Sequence, residues 1–114
     1  MSPAAFEKAA LALPAATLSI QWGDDRVYKV GGKMFAVTDG AATACSFKVT
    51  EIAYEALKES GRARRAPYMQ ESACWVRFDD LVALDDGEVT DWLKTSHALV
   101  AAKLTRAQRA ELGL

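Results

Sequence analysis

Arg26-Val27-Tyr28-Lys29-Val30-Gly31-Gly32-Lys33-Met34-Phe35-Ala36-Val37-Thr38 is the stretch whose reading decides the fold of this chain. Both halves are rich in β-branched and aromatic residues, and Gly31-Gly32 between them can take positive φ at both positions, as a two-residue hairpin turn requires. With that turn, Val30 faces Lys33, Tyr28 faces Phe35 and Arg26 faces Val37. Tyr28, Val30, Phe35 and Val37 then share the core side, while Val27, Lys29, Met34 and Ala36 look outward. A slip of one residue would exchange the two sets.

The pattern extends in both directions. Upstream, Leu18, Ile20 and Trp22 alternate with Thr17, Ser19 and Gln21 in a half-buried strand, and Gly23-Asp24-Asp25 turns it into the hairpin. Earlier still, Ser2-Pro3 is a helix start, and Phe6, Ala9, Ala10 and Leu13 recur on one face until Pro14 stops the helix. Downstream, Asp39-Gly40 turns the chain into a strand in which Cys45, Phe47 and Val49 alternate with Ala44, Ser46 and Lys48. Thr50 caps a second helix with an apolar stripe of Ile52, Ala53, Ala56 and Leu57, and Gly61 supplies its left-handed end.

A basic connection, Arg62, Arg64 and Arg65 with Pro67-Tyr68, is expected to be edge strand in part. In the strand from Ala73 to Phe78, Cys74, Val76 and Phe78 face one way, and Trp75 and Arg77 the other. Six acids without a base, Asp79, Asp80, Asp85, Asp86, Glu88 and Asp91, lead into a helix with Val89, Trp92, Leu93, Ser96 and Val100 on one side. Acids there oppose the positive end of the helix dipole. Thr105 and Gln108 form a capping box for a short helix ending near Leu112 and Gly113. The fold class is α+β: a hairpin-linked antiparallel sheet with helices packed on one face.

Composition sets the limits. The chain has 114 residues, 51% apolar and 25% charged, with 14 Lys+Arg against 15 Asp+Glu, one His and a formal charge of −1. This describes a single soluble globular domain over residues 1–114, and no uncharged run reaches the roughly 20 residues of a membrane span. The segment from Met1 to Leu13 lacks a basic n-region and carries Glu7 and Lys8, so it reads as a helix of the fold and not a secretory signal. Cys45 and Cys74 show no CxxC spacing. They are expected to be buried, reduced thiols of a cytoplasmic protein.

Several strings, taken in order, point to a family: Trp22-Gly23, then Tyr28 to Ala36, Ser46-Phe47-Lys48-Val49, Trp75-Val76, Trp92-Leu93, Ser96 to Val100 and Lys103-Leu104. The chain closely resembles the MmcQ/YjbR family of small bacterial proteins from about residue 4 to residue 112. The resemblance implies a compact α+β fold similar to frataxin/CyaY-like proteins and DNA binding through a double-wing arrangement of hairpins. No single string is a catalytic signature.

Duplex affinity comes mainly from neutralising phosphates, so a charge of −1 is a poor start. Its distribution is better: from Arg26 to Arg77 nine bases stand against five acids. Two groups are the candidate DNA contacts, the hairpin lysines Lys29, Lys33 and Lys48 and the arginines Arg62, Arg64 and Arg65. Each has an ordinary alternative. Lysines on an edge strand deter unwanted pairing, and cations near a helix C-terminus are favoured by its dipole.

Other motifs carry less. Gly31-Gly32-Lys33 joins two strands, so it is not a phosphate loop. His97 has no serine nucleophile or acidic orienter at triad spacing and reads as a helix-packing residue. Asp79-Asp80 and Asp85-Asp86 fit turns and caps better than a cation site, and Glu7 alone does not make the acidic ridge on which frataxins hold iron. Trp22 and Trp75 read as core aromatics before base-stacking ones. The expectation is a non-enzymatic protein with no cofactor or metal, contacting DNA weakly and with little sequence preference. The alternative is a protein-interaction or small-ligand adaptor that uses the less covered sheet face or the acidic approach to the third helix.

Overall fold

A computed structural model describes residues 1–114. Helix α1 (Pro3–Leu11) starts where the Ser2 hydroxyl accepts from the Ala5 amide at 3.1 Å, with Pro3 in the first turn. Strands β1 (Ala16–Gln21), β2 (Asp25–Val30), β3 (Lys33–Thr38) and β4 (Cys45–Lys48) follow. Helix α2 (Glu51–Glu59), strands β5 (Arg64–Arg65) and β6 (Trp75–Phe78), and helices α3 (Asp86–Ala101) and α4 (Arg106–Leu112) complete the chain. The six strands form one antiparallel sheet in the order β1-β2-β3-β4-β6-β5.

Helix α3 lies across β3 and β4, α1 packs on α3 and β1, and α2 packs beside β5 and β6. Phe6 and Ala10 of α1, Tyr54 and Leu57 of α2, and Val89, Leu93 and Val100 of α3 join Tyr28, Val30, Phe35, Ala36, Phe47, Val76 and Phe78 of the sheet in one buried cluster. These helices therefore cover a single sheet face, as the sequence predicts. Phe47, Phe78 and Trp92 stack in series at 5.0 to 5.8 Å between ring centroids, fixing α3 over the central strands.

The hairpin turns at Gly31-Gly32 with φ of +59° and +78°, and Val30 faces Lys33 as expected. The register then departs from expectation. Lys29 pairs with Met34 but Tyr28 pairs with Ala36 and Arg26 with Thr38, so Phe35 is an extra residue in β3. This β-bulge puts Phe35 and Ala36 together opposite Tyr28. Ala36 is therefore core and Val37 turns to the other face, reversing the expected assignment of those two; Tyr28, Val30 and Phe35 keep theirs.

A bulge frees backbone groups, and Ser96 of α3 takes them up. Its buried hydroxyl donates to the Phe35 carbonyl at 2.6 Å and accepts from the Lys48 amide at 2.9 Å. It stands where the β3–β4 ladder would have continued past Ala36 and Phe47. The two strands are thus joined through a side chain beside the hairpin tip.

Three further expectations are corrected. In α2, Ile52 and Ala56 are exposed, and Tyr54 and Leu57 face the core, because the helix packs at the β5–β6 end and not flat across the sheet. Trp22 is not core: it stands in the β1–β2 turn, 66% exposed, with φ of +51°. Ile20 of β1 is also exposed, leaving Leu18 as the residue of that alternation packed against the core. Cys74 precedes β6 in a left-handed conformation, yet it and Cys45 are both buried and free. Burial pushes the Cys45 thiol up to about 12.

The acidic segment serves turns and caps as expected. Asp85 accepts from the Glu88 amide at 2.9 Å to cap α3, and the Thr105–Gln108 capping box opens α4. No helix is long and apolar enough to cross a membrane.

Candidate functional site

The two candidate basic groups lie in different parts of the fold and in different electrostatic states. The arginines are paired. Arg62 reaches across to α3 and donates twice to Glu88, at 2.7 and 3.0 Å, with its guanidinium 5.5 Å from the centre of the Trp92 ring. Arg64 on edge strand β5 holds Asp79 through two hydrogen bonds of 3.0 and 3.1 Å, and Arg77 donates to the same carboxylate at 2.9 Å. These two guanidiniums hold the Asp79 carboxyl down at about 2. Arg65 stands 3.8 Å from Glu71, which also binds Lys58. Arg26 is paired with Glu7 at 2.9 Å, so that acid of α1 braces β2.

The hairpin lysines have no such partners. Of the nine bases from Arg26 to Arg77, Lys29, Lys33 and Lys48 are the three without an ion pair. Lys33 and Lys48 line a depression of about 340 Å³ beside the hairpin tip, together with Met34, Ala73, Trp75, Val100 and Lys103. The Lys48 ammonium donates to the Ala73 carbonyl at 2.7 Å. Burial, followed by the neighbouring Lys103 ammonium, lowers its affinity for a proton below the ordinary lysine value. An anion in this depression would relieve that repulsion. Lys29, on the strand opposite Met34, adds a fourth unpaired cation on the adjoining surface.

Lys103 escapes a sequence reading because it lies far along the chain, at the end of α3. Only the packing of that helix over β3 and β4 brings it to the hairpin. Gly31 is part of the same construction: a Cβ there would stand 2.7 Å from Leu104, so the turn fits closely under the α3–α4 junction.

The sheet face away from the helices carries the second feature, a groove of about 520 Å³. Its apolar lining includes Met34, Val37, Pro67, Met69 and Trp75, with Asp25, Ser46 and Arg77 as polar members. Trp22 and Tyr68 also line it, and both are strongly exposed, Tyr68 completely so. Trp75 is buried but belongs to this face, not to the core cluster under the helices. Met34 and Trp75 line both depressions, so the groove and the lysine pocket adjoin across these two side chains.

His97 has a structural role, as its helix position suggests. Its Nε2–H donates to the Pro14 carbonyl at 2.7 Å and its ring meets Phe35 edge-on at 5.3 Å, tying α3 to the segment after α1.

An antiparallel sheet with helices on one face, a groove on the second face and unpaired lysines beside the hairpin tip defines an α+β protein. The YjbR family model matches residues 11–99, and the chain belongs to that family. Its structure is similar to the crystal structure of Deinococcus radiodurans protein DR2400, which carries the domain DUF419, with a TM-score of 0.79 and 26% sequence identity. The match covers 95% of this chain and 85% of that one. No curated protein matches the chain.

Proposed function

We propose that this protein is a non-enzymatic, cytoplasmic DNA-binding member of the YjbR family, and that it contacts the phosphate backbone through Lys29, Lys33, Lys48 and Lys103. The observation that carries this reading is the absence of any carboxylate partner for these four lysines, while Arg62, Arg64 and Arg65 each have one. An ammonium already paired with a protein carboxylate has little left to offer a phosphate; an unpaired one releases a counterion when it binds. Flexible lysines are poorly matched to bidentate base reading, so affinity varies little with sequence and falls steeply with salt.

The test is titration of a labelled duplex at low and at physiological salt, with the native protein and with a Lys29→Glu, Lys33→Glu, Lys48→Glu variant. The native protein binds at low salt and weakens to about micromolar or worse at physiological salt, as non-specific contacts do. The variant loses binding at both. Equal binding by the two proteins would put the contact elsewhere, and no binding by the native protein at low salt would remove the reading.

A further inference from the structure

We propose that the open sheet face is a platform for single-stranded nucleic acid: bases stack on Trp22 and Tyr68 in the groove while the backbone runs on to the hairpin lysines. This rests on the backbone-contact reading above and specifies the form of nucleic acid the site prefers.

The first support is that folding does not account for either aromatic. Trp22 and Tyr68 are 66% exposed and fully exposed, and they contribute nothing to the core cluster. Both also sit at positive φ, +51° and +67°, where a side chain with a Cβ costs about 1–2 kcal/mol relative to glycine. A turn beside Gly23 would be more stable with glycine or asparagine at position 22. A large, exposed ring held in a strained turn over an apolar groove is instead a contact surface.

The second support is chemical complementarity across two adjoining depressions that share Met34 and Trp75. At one end lie Trp22 and Tyr68 with Met34, Val37, Met69 and Trp75 between them, and at the other the unpaired Lys33, Lys48 and Lys103. Flat apolar groups linked to a chain of anions match this order, and a single strand presents both at once. Duplex DNA keeps its base faces stacked inside and can offer only the phosphates. Stacking tolerates any base, since every base has a π-face, and is worth about 1–3 kcal/mol per base. Asp25 and Ser46 in the groove supply acceptors for the exocyclic amines of an unstacked base.

The experiment compares an oligothymidylate with a duplex of equal length, read by tryptophan fluorescence quenching and by anisotropy of the labelled DNA. The native protein is expected to bind the single strand more tightly than the duplex, with quenching. Trp22→Ala and Tyr68→Ala are each expected to weaken single-strand binding about 5- to 150-fold, the stacking energy converted to affinity, and to leave duplex binding unchanged. Trp22→Phe, which keeps a ring, should retain most of the affinity. Both positions are exposed, so circular dichroism should show the native fold in every variant.

Duplex binding without a single-strand preference, or single-strand binding indifferent to both alanine variants, would overturn this inference and leave the backbone reading standing. Failure of both nucleic acids to bind would remove both. Salt-insensitive capture of an apolar peptide by the groove, lost in Trp22→Ala, would assign the face to a protein partner and also overturn it.

Discussion

The arginine edge and the lysine tip carry the same formal charge in sequence and opposite meanings in structure. At the edge, Glu88, Asp79 and Glu71 lie within ion-pair distance of Arg62, Arg64 and Arg65, and the guanidiniums fasten α2, β5 and β6 to the approach to α3. At the tip, Lys33, Lys48 and Lys103 gather around one depression with no acid among its lining residues. Clustering of bases along a chain is therefore a poor guide to available charge. What decides is whether the fold returns acids to them, and here Glu88, Asp79 and Glu71 are returned to Arg62, Arg64 and Arg65 while Lys29, Lys33 and Lys48 receive none.

The largest effect is expected from Ser96, which holds the lysine tip in shape and touches nothing at the arginine edge. Ser96→Ala leaves the Phe35 carbonyl and the Lys48 amide without a partner next to the bulge, at about 1–3 kcal/mol for each group left buried and unsatisfied. Chemical denaturation should show a loss of about 2 kcal/mol or more, and hydrogen exchange should place it at the hairpin and β4. A loss under about 0.5 kcal/mol would mean that the bulge is supported some other way.

A smaller and more local effect separates the two turn glycines. Gly31→Ala and Gly32→Ala both meet the left-handed penalty of about 1–2 kcal/mol. Only the first also drives a methyl group against Leu104, whereas the second opens to empty space. Thermal melts should therefore rank Gly31→Ala as the more damaging change, and the reverse order would contradict the close approach of α4's leading segment to the tip.

The comparison can also be broken from the arginine side. A Glu71→Gln, Asp79→Asn, Glu88→Gln variant removes the three partner charges, and low-salt duplex affinity should then rise severalfold with the lysines untouched. Acid does part of the same. The Asp79 carboxyl titrates at about 2 when folded, below its ordinary value of 3.8. Its stabilising pairing is complete above about pH 4 and is lost as the pH falls towards 2. Because the carboxylate is largely exposed, the accompanying loss of stability should be about 1 kcal/mol at most.

Much of the fold was legible because local rules and tertiary demands agree. Gly31-Gly32, Ser2-Pro3, Thr50 with Gly61, and Thr105 with Gln108 each name an element end by its own chemistry, and all stand where expected. Strict alternation could not foresee the bulge at Phe35, because its compensation comes from Ser96, 61 residues away. The stripe assigned to α2 held only in part for a related reason: Ala53 and Leu57 pack on the core, but Ile52 and Ala56 satisfy helical spacing and stay exposed, because the sheet edge selects Tyr54 in their place. Half of the candidate site was visible as lysines around a turn. The other half, Lys103 and the aromatic walls of the open face, depends on which distant segments meet and has no local signature.

The most direct test of the central claim is the salt dependence of duplex binding, measured for the native protein and for two triple-alanine variants. Each phosphate neutralised contributes about −0.9 to the slope of log affinity against log salt. Replacing Lys29, Lys33 and Lys48 should make the slope shallower by about 2.7, while replacing Arg62, Arg64 and Arg65 should leave it unchanged within error. A slope that moves with the arginines and not with the lysines would contradict the account.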